Sequence, residues 1–229
     1  MSGSSTSPLR DLAQIVFFVL VVRPFMAFFI GLRLRGREHL NVPDPFVLVA
    51  NHSSHLDTLS LLSLFPLRRL RRIRPCAAAD YFGRNPAVLA LSRTFFNILP
   101  IARANIQSDD HPIERMRQTL EAGESLLLFP EGTRGAGGEV GELRPGIAHL
   151  AEQVPGLTIV PAYLANMGRA LPKGEYLPVP FFCEVRLGAP RRLSGTREQM
   201  LRQLRSDLEA LRDGADTAAM RTRAGGSDE

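Results

Sequence analysis

Residues 46–57 read FVLVANHSSHLD, an apolar run followed directly by polar residues. The first five are apolar and prone to β-structure, so they predict a short buried strand that ends at Asn51. Leucines at helical spacing follow from Leu56, and they predict a helix directly after the polar turn. A strand, a turn and a helix in this order build α/β folds, so this stretch indicates the fold class.

A second stretch, residues 125–134, repeats this arrangement, because the apolar run SLLLF ends in the polar turn PEGTR. A short amphipathic helix is predicted before it, over residues 112–123. Further apolar strands are predicted at residues 157–163 and 181–187. We therefore expect one α/β domain over residues 35–212, with a central mixed sheet flanked by helices.

The N-terminal part of the chain is far more apolar than the rest. Residues 12–32 read LAQIVFFVLVVRPFMAFFIGL, which as a helix would be about 31 Å long, nominally enough to cross a bilayer core. Arg23 and Pro24 lie in its middle. A central Arg costs about 2.5–3.5 kcal/mol in a spanning helix, and proline removes a helical hydrogen bond. We therefore favour two short helices that split near Arg23 and dip into one leaflet, over a spanning helix or a buried soluble hairpin.

These features divide the chain. Residues 1–11 are predicted to be a disordered tail, and residues 12–34 a membrane-associated helical segment. Residues 213–229 are small and polar, and they predict a second disordered tail. A cleaved signal peptide is not expected, because acidic Asp11 precedes the apolar run and no small-residue cleavage site closes it. The expected location is the cytoplasmic face of the cell membrane, with the protein monotopic or single-span.

Arginine supplies nearly all the positive charge, since Lys173 is the one lysine among the 28 basic residues. Five arginines lie within residues 68–74, and three more follow the apolar segment within residues 33–37. This distribution favours an anionic surface, either lipid head groups or nucleic acid. Nucleic-acid binding would further predict aromatic residues among the basic ones, and residues 68–74 contain none, so no nucleic-acid partner is expected.

The turn after the first strand supplies an imidazole and a carboxylate, the parts of a general base. On one continuous helix His52 and Asp57 would point about 140° apart, but they can meet if His52 precedes the helix and Asp57 lies in its first turn. Asp57 could then fix the tautomer of His52 and leave the other ring nitrogen as the base. The alternative role of Asp57 is to cap the helix together with Ser54.

Other chemistries are weaker candidates. His55 is a rival for the base, and His52, His55 and Asp57 could also be read as three metal ligands. The remaining histidines lack ligand spacing and no Cys cluster occurs, so no metal is expected. No Gly-x-Ser-x-Gly, Walker-type or dinucleotide motif occurs, which argues against serine hydrolases, NTPases and dehydrogenases. Cys76 and Cys183 lie in apolar contexts, which favours free thiols, with one disulfide as the alternative.

The second polar turn has the composition of an anion-binding turn, with Glu131, Gly132, Thr133 and Arg134 in a row. Gly132 permits close backbone approach, and Arg134 can hold a phosphate with two parallel hydrogen bonds. An exposed turn with an ordinary surface arginine is the alternative. Because open α/β sheets bind ligands beyond the carboxyl ends of their strands, we expect both turns at one edge of the sheet.

With His-x4-Asp at His52 to Asp57 and Phe-Pro-Glu-Gly-Thr-Arg at residues 129–134, the chain resembles the glycerolipid acyltransferase family, typified by 1-acylglycerol-3-phosphate acyltransferases. Residues 97–103, NILPIAR, resemble the family's second block, with Leu-Pro where Phe-Ile is frequent. This resemblance implies that Arg103 binds the acceptor phosphate. The stretch around Arg144 resembles a family block that carries lysine at that position.

The resemblance implies direct acyl transfer, without a cofactor or an acyl-enzyme. His52, oriented by Asp57, would deprotonate the acceptor hydroxyl, which attacks the thioester of an acyl-CoA or acyl-carrier protein. The acceptor phosphate would be held by Arg103 and the turn at residues 131–134, where Glu131 would orient the acceptor or its neighbours. The implied acceptor is a lysophospholipid, 1-acylglycerol-3-phosphate before all others, in phospholipid synthesis.

Two alternatives to this function stay open. One is an acyltransferase that acts on a lyso-lipid without glycerophosphate. The other is a non-catalytic membrane-surface protein that binds anionic lipids through the apolar N-terminus and residues 68–74. The second alternative does not account for the two polar motifs, so an acyltransferase is the expectation.

Overall fold

The computed structural model describes residues 8–79, 86–101, 111–135, 138–172, 175 and 177–214. Within these residues a seven-stranded sheet has the strand order β1-β7-β6-β2-β5-β3-β4. Arg103 lies outside the described residues, as do residues 1–7 and 215–229 of the two predicted tails. The predictions for them therefore stay predictions.

Strands and helices alternate along the chain. The strands are β1 Arg33–Arg35, β2 Val47–Ala50, β3 Ile73–Ala78, β4 Leu99–Ile101, β5 Ser125–Leu128, β6 Ile159–Ala165 and β7 Glu184–Leu187. The helices are α1 Pro8–Phe17, α2 Leu56–Ser63, α3 Leu67–Leu70, α4 Pro86–Phe96, α5 Pro112–Glu121, α6 Gly146–Gln153, α7 Met167–Ala170 and α8 Arg197–Arg212. A 3₁₀ turn at Arg37–Leu40 follows β1. The predicted α/β class is confirmed.

The sheet is mixed, as predicted. Strands β6, β2, β5, β3 and β4 run parallel, whereas β7 is antiparallel to β6 and β1 pairs parallel with β7. Strand β2 lies between β5 and β6, with Val47 opposite both Leu126 and Ile159. Since β2 and β5 are parallel neighbours, the polar turns that follow them leave the same edge of the sheet side by side.

Helices cover both faces of the sheet and bury a core on each. One core includes Phe18, Met26, Leu48, Leu61 and Met167, from the N-terminal helix, β2, α2 and α7. The other includes Val47, Ile113, Ile147 and Leu204, from β2, α5, α6 and α8. Consecutive residues of β2 thus enter opposite cores, and the strand is apolar throughout because both of its faces are buried.

The apolar N-terminal segment is one helix, so the predicted split at Arg23 is wrong. The helix runs from Leu9 to Phe29 and is long and apolar enough to cross a membrane by length and composition. Arg23 and Pro24 keep helical backbone angles, with φ of −65° and −60°. Wide π-type turns at Phe18–Val22 and Phe25–Phe29 flank the proline, and their i→i+5 bonds accommodate its missing N–H donor.

The central charge of this helix is turned toward the protein. Nη2 of Arg23 donates to the carbonyl oxygen of Phe65, just after α2, at 2.7 Å. The neighbouring side of the helix packs on the sheet domain through four side chains that are at most 3% exposed, Phe18, Val22, Met26 and Ile30. Burying each contributes about 1.5–3 kcal/mol, so the helix is an integral part of the fold.

Both cysteines are free thiols, as the apolar contexts predicted, and no disulfide joins them. Cys183 is fully buried, and this burial raises the pKa of its thiol to about 11. A thiol with so high a pKa stays protonated near neutral pH and packs as a small apolar side chain.

Candidate active site

His52 and Asp57 are in direct contact at the carboxyl end of β2. His52 lies in the turn after the strand and Asp57 in the first turn of α2, and His52 Nδ1 is 2.8 Å from Asp57 Oδ2. The imidazole is 21% exposed, whereas the carboxylate is fully buried. Because a carboxylate only accepts hydrogen bonds, Nδ1 carries the proton and Nε2 is left as the basic nitrogen.

Asp57 also binds the backbone of the turn before α2, although Ser54 is not the N-cap that the alternative role required. Its Oδ2 also accepts the backbone N–H groups of Ser53 at 2.6 Å and Ser54 at 2.9 Å. The carboxylate thus holds the turn and orients the ring at the same time. The helix begins later than a Ser54 cap would place it, at Leu56, whose N–H donates to Ser54 Oγ at 3.2 Å.

The second motif supports the imidazole from its other side. The ring of His52 stacks on Phe129, with ring centroids 4.2 Å apart and 18° between the planes. The backbone oxygen of His52 accepts the N–H of Gly135 at 2.9 Å. Sequence reasoning did not assign Phe129 a role in the site, although its place at the head of the second motif was a usable signal.

Glu131 joins three segments of the site. Its side chain is 7% exposed, and Oε1 accepts the backbone N–H of His52 at 3.3 Å. The N–H of Gly141 also binds this carboxylate, and burial raises its pKa. In this structure the carboxylate therefore ties together the backbone of the two segments that carry His52 and Gly141.

Arg134 carries a buried donor that is poised for an anion. Its Nη1 is buried and has no hydrogen-bond partner among the described residues. A buried guanidinium nitrogen without a partner is costly, and a phosphate or carboxylate is its natural complement. Loss of hydration and the nearby charge of Arg134 lower the pKa of His55. Thr133, in the same turn, is exposed.

Arg144, which the sequence placed in a block similar to the family's but without a role, lies against the second turn. Its backbone N–H donates to the oxygen of Pro130 at 2.9 Å, and its Nε donates to the oxygen of Glu131 at 3.3 Å. A Cβ atom on Gly132 would lie 2.5 Å from Arg144 Nε. The side chain therefore occupies the space that the glycine leaves open, next to the turn that holds Arg134.

We expect Gly132→Ala to reduce activity much more than its backbone strain alone would. Gly132 has φ +70°, and the added Cβ would also displace Arg144. Gly123→Ala is the matched control, because Gly123 has φ +78° but a Cβ added there would meet nothing within 4 Å. Both variants should lose about 1–2 kcal/mol of unfolding free energy, and activity assays should show a large loss for Gly132→Ala alone. Equal activity in the two variants would contradict the assigned position of Arg144.

No group of three or more His, Cys, Asp or Glu side chains within the described ranges is placed to hold a metal ion.

The structure brings five of the predicted site residues together at one edge of the sheet, His52, Asp57, Glu131, Gly132 and Arg134. It does not describe Arg103, which follows strand β4. An oriented base next to a partly buried arginine is suited to deprotonating a substrate that carries an anionic group.

The sequence matches the family model described as Acyltransferase over residues 31–165. The chloroplast 1-acyl-sn-glycerol-3-phosphate acyltransferase LPAT1 of Arabidopsis thaliana is 29% identical over 148 residues, which are 64% of this chain and 39% of that protein. The 1-acyl-sn-glycerol-3-phosphate acyltransferase of Pseudomonas aeruginosa is 28% identical over 184 residues, 79% of this chain and 67% of that protein. The chain thus spans 39% of the length of its chloroplast relative.

Among solved structures, the crystal structure of PlsC from Thermotoga maritima, a 1-acyl-sn-glycerophosphate (LPA) acyltransferase, superposes with a TM-score of 0.66. The match covers 90% of this chain and 96% of that chain, at 16% sequence identity. At this identity the likeness concerns the fold. The arrangement of the sheet and the N-terminal helix is therefore one that a solved protein also adopts.

Proposed function

Since this chain belongs to the acyltransferase family, whose model matches its residues 31–165, we propose that it moves a fatty acyl group from a thioester to the free hydroxyl of a lysophospholipid. The observation that carries this proposal is the contact of His52 with the buried carboxylate of Asp57, beside Nη1 of Arg134, for which the described part of the chain offers no hydrogen-bond partner. The proposed acceptor is 1-acylglycerol-3-phosphate, the compound in the names of the relatives.

In the proposed reaction, Nε2 of His52 takes the proton of the acceptor hydroxyl while the oxygen attacks the thioester carbonyl carbon. The new C–O bond gives a tetrahedral oxyanion, which collapses as the C–S bond breaks. The thiolate then leaves and takes up the proton that the imidazolium holds. Asp57 stabilises that imidazolium through Nδ1. Because the acceptor hydroxyl itself attacks the thioester, the proposed reaction needs no covalent acyl-enzyme. The donor is an acyl-CoA or an acyl-carrier protein.

The second turn supplies the proposed binding site for the acceptor phosphate. Arg134 offers its Nη1, and Arg144 adds a second guanidinium beside Gly132. Arg103 is the third proposed contact, from its motif alone. Fixing the phosphate at the neighbouring turn would hold the acceptor hydroxyl close to His52, which lowers the entropic cost of the transfer.

Arg134→Gln is expected to lower kcat/KM for lysophosphatidate by about 100-fold, because an unpaired phosphate would enter a partly buried site. Arg202→Gln is the matched control: its side chain is 63% exposed on α8, where it pairs with Glu198 of the same helix. Initial rates at varied acceptor concentration measure both variants. If Arg134→Gln loses no more than the control, the phosphate site is wrongly placed.

We further propose that the N-terminal helix lies along the membrane surface rather than across it. One side of the helix is buried against the domain, while the opposite side exposes large apolar side chains, Leu9, Leu12, Val16, Val19, Leu20, Val21, Phe28 and Phe29. A helix attached to a folded domain along its length cannot also be surrounded by lipid. An apolar outer side suits the boundary between head groups and acyl chains.

The arginines of residues 68–74 divide between the interior and this surface. Two are held by ion pairs inside the protein, Arg69–Asp44 at 2.7 Å and Arg74–Glu124 at 2.6 Å. The other three are exposed, Arg68, Arg71 and Arg72. Arg71 lies 4.0 Å from Asp11 of the N-terminal helix, so exposed guanidinium groups flank the apolar helix. They support contact with anionic head groups on the cytoplasmic side of the membrane.

A panel of acceptors tests the proposed substrate. The detergent-extracted protein receives one acyl-CoA with lysophosphatidate, lysophosphatidylcholine or a monoacylglycerol, and mass spectrometry measures the acylated products. We expect lysophosphatidate to be preferred, because the proposed site recognises a phosphate with guanidinium groups. Preference for the monoacylglycerol would contradict the phosphate site. Vesicle binding without any product would instead support the non-catalytic alternative.

A further inference from the structure

A second exposed apolar surface lies in the loop between α7 and β7. Four large apolar side chains occur within six residues, Leu177 at 83% exposure, Val179 at 50%, Phe181 at 36% and Phe182 at 71%. The sequence predicted a strand over residues 181–187, but the strand begins only at Glu184. In a strand, the side chains of Phe181 and Phe182 would point to opposite faces of the sheet. Here both side chains are exposed, so the predicted strand over residues 181–187 is too long at its start.

This loop, which we call the 177–182 loop, adjoins the end of the N-terminal helix. A Cβ atom on Gly31 would lie 2.8 Å from the ring of Phe182, and the N–H of Arg33 donates to the oxygen of Cys183 at 2.9 Å. Phe28, three residues before Gly31, is 90% exposed. The outer side of the helix and the loop therefore form neighbouring parts of one apolar surface.

Arginines accompany the two aromatic side chains of the loop. The guanidinium carbon of Arg33 lies 5.5 Å from the ring centre of Phe182, and that of Arg169 lies 5.7 Å from the ring centre of Phe181. Apolar rings next to guanidinium groups suit the boundary of a bilayer, where the rings enter the acyl chains and the cations meet phosphates. Clustered apolar exposure of this kind marks an interaction surface.

The 177–182 loop is held near the turn that carries the candidate base. The N–H of Val179 donates to the oxygen of Ala170, the last residue of α7, at 2.8 Å. Ser54 Oγ, in that turn, donates to the oxygen of the next residue, Leu171, at 2.9 Å. Ser54 is also one of the two backbone donors to Asp57. A membrane against the loop would therefore lie close to the turn that holds His52.

We propose that the 177–182 loop is a second bilayer contact, which, together with the N-terminal helix, seats the catalytic turn at the lipid surface. The role of this contact in catalysis rests on the proposed function: a lyso-lipid acceptor could then pass from the leaflet to His52 without crossing water. The occupant of the loop is a bilayer that contains anionic lipid, because arginines frame its apolar residues. Insertion of the loop is a physical property that can be measured without any turnover.

The chain contains no tryptophan, so a single introduced tryptophan reports on one position. In Leu177→Trp we expect a blue-shifted emission on adding phosphatidylcholine–phosphatidylglycerol vesicles, with quenching by lipids brominated on their acyl chains. Gln118→Trp is the control, because Gln118 is exposed on α5, on the opposite face of the sheet. Emission of Leu177→Trp that stays unshifted on vesicle-bound protein would overturn the proposal. A blue shift without lipid would do the same, since it indicates a protein partner.

A second variant tests the energetic contribution of the loop. Leu177→Glu should weaken vesicle binding in a flotation assay by about tenfold, because a fully inserted leucine is replaced by a charge. Transfer to a short-chain acceptor in detergent should stay at the wild-type rate. Vesicle affinity equal to wild type would overturn the proposal. Failure of the proposed function has a separate signature: insertion of the tryptophan in a protein that forms no acylated lipid.

Discussion

His52→Ala is expected to lower the rate of acyl transfer by about 10²–10⁴-fold, the usual contribution of a general base. The imidazole is the group whose Nδ1 is fixed by Asp57 and whose Nε2 is left to accept a proton. The fold should survive, because Asp57 would keep its two backbone donors from Ser53 and Ser54. Thermal unfolding and initial rates of transfer, measured on the same preparation, separate these effects.

His55→Ala is the matched control for this prediction. The two histidines share one turn, but the carboxylate of Asp57 binds the ring of His52. We expect His55→Ala to keep most of the wild-type activity. Equal losses from the two alanine variants would show that the base is wrongly assigned.

Asp57→Asn is expected to lower kcat by about 10³–10⁴-fold with little change in KM. The amide keeps the size of the side chain, but it removes the negative charge that stabilises the imidazolium. The amide oxygen can take the place of Oδ2 and still accept the proton of Nδ1, so the expected loss comes from the missing charge. Steady-state kinetics measure kcat and KM separately.

If Asp57 served only as a helix cap, Asp57→Asn would affect stability rather than kcat. If the carboxylate only stabilised the start of α2, Asp57→Asn would lower the free energy of unfolding, with kcat unchanged under conditions where the protein stays folded. An unchanged kcat in a folded Asp57→Asn variant would therefore argue against the positioning role.

The elements that the sequence predicted well are those that local pattern determines. The run from Phe46 to Ala50 is apolar without interruption because β2 is buried on both faces, and such runs predict a central strand. The contact of His52 with Asp57 was predicted by placing His52 in the turn before the helix and Asp57 in its first turn. Both predictions depend on neighbours in sequence, where the constraints on the backbone are strongest.

The features that sequence reasoning missed depend on contacts between distant segments. Pro24 is a helix breaker by local rules, but π-type turns and the bond from Arg23 to Phe65 keep the helix continuous. Arg144 meets Gly132 only because two loops fold against each other. The sequence predicted a strand at Phe181 and Phe182, because an apolar run has the same pattern whether its side chains face a protein core or a membrane.

The most direct test of the proposed acyl transfer is the release of thiol from an acyl-CoA by the purified protein, measured with and without lysophosphatidate. We predict thiol release that requires the acceptor, that matches the amount of diacylated lipid formed, and that His52→Ala lowers by about 10²–10⁴-fold. Thiol release that proceeds equally well without the acceptor would identify a thioesterase and contradict the proposed transfer.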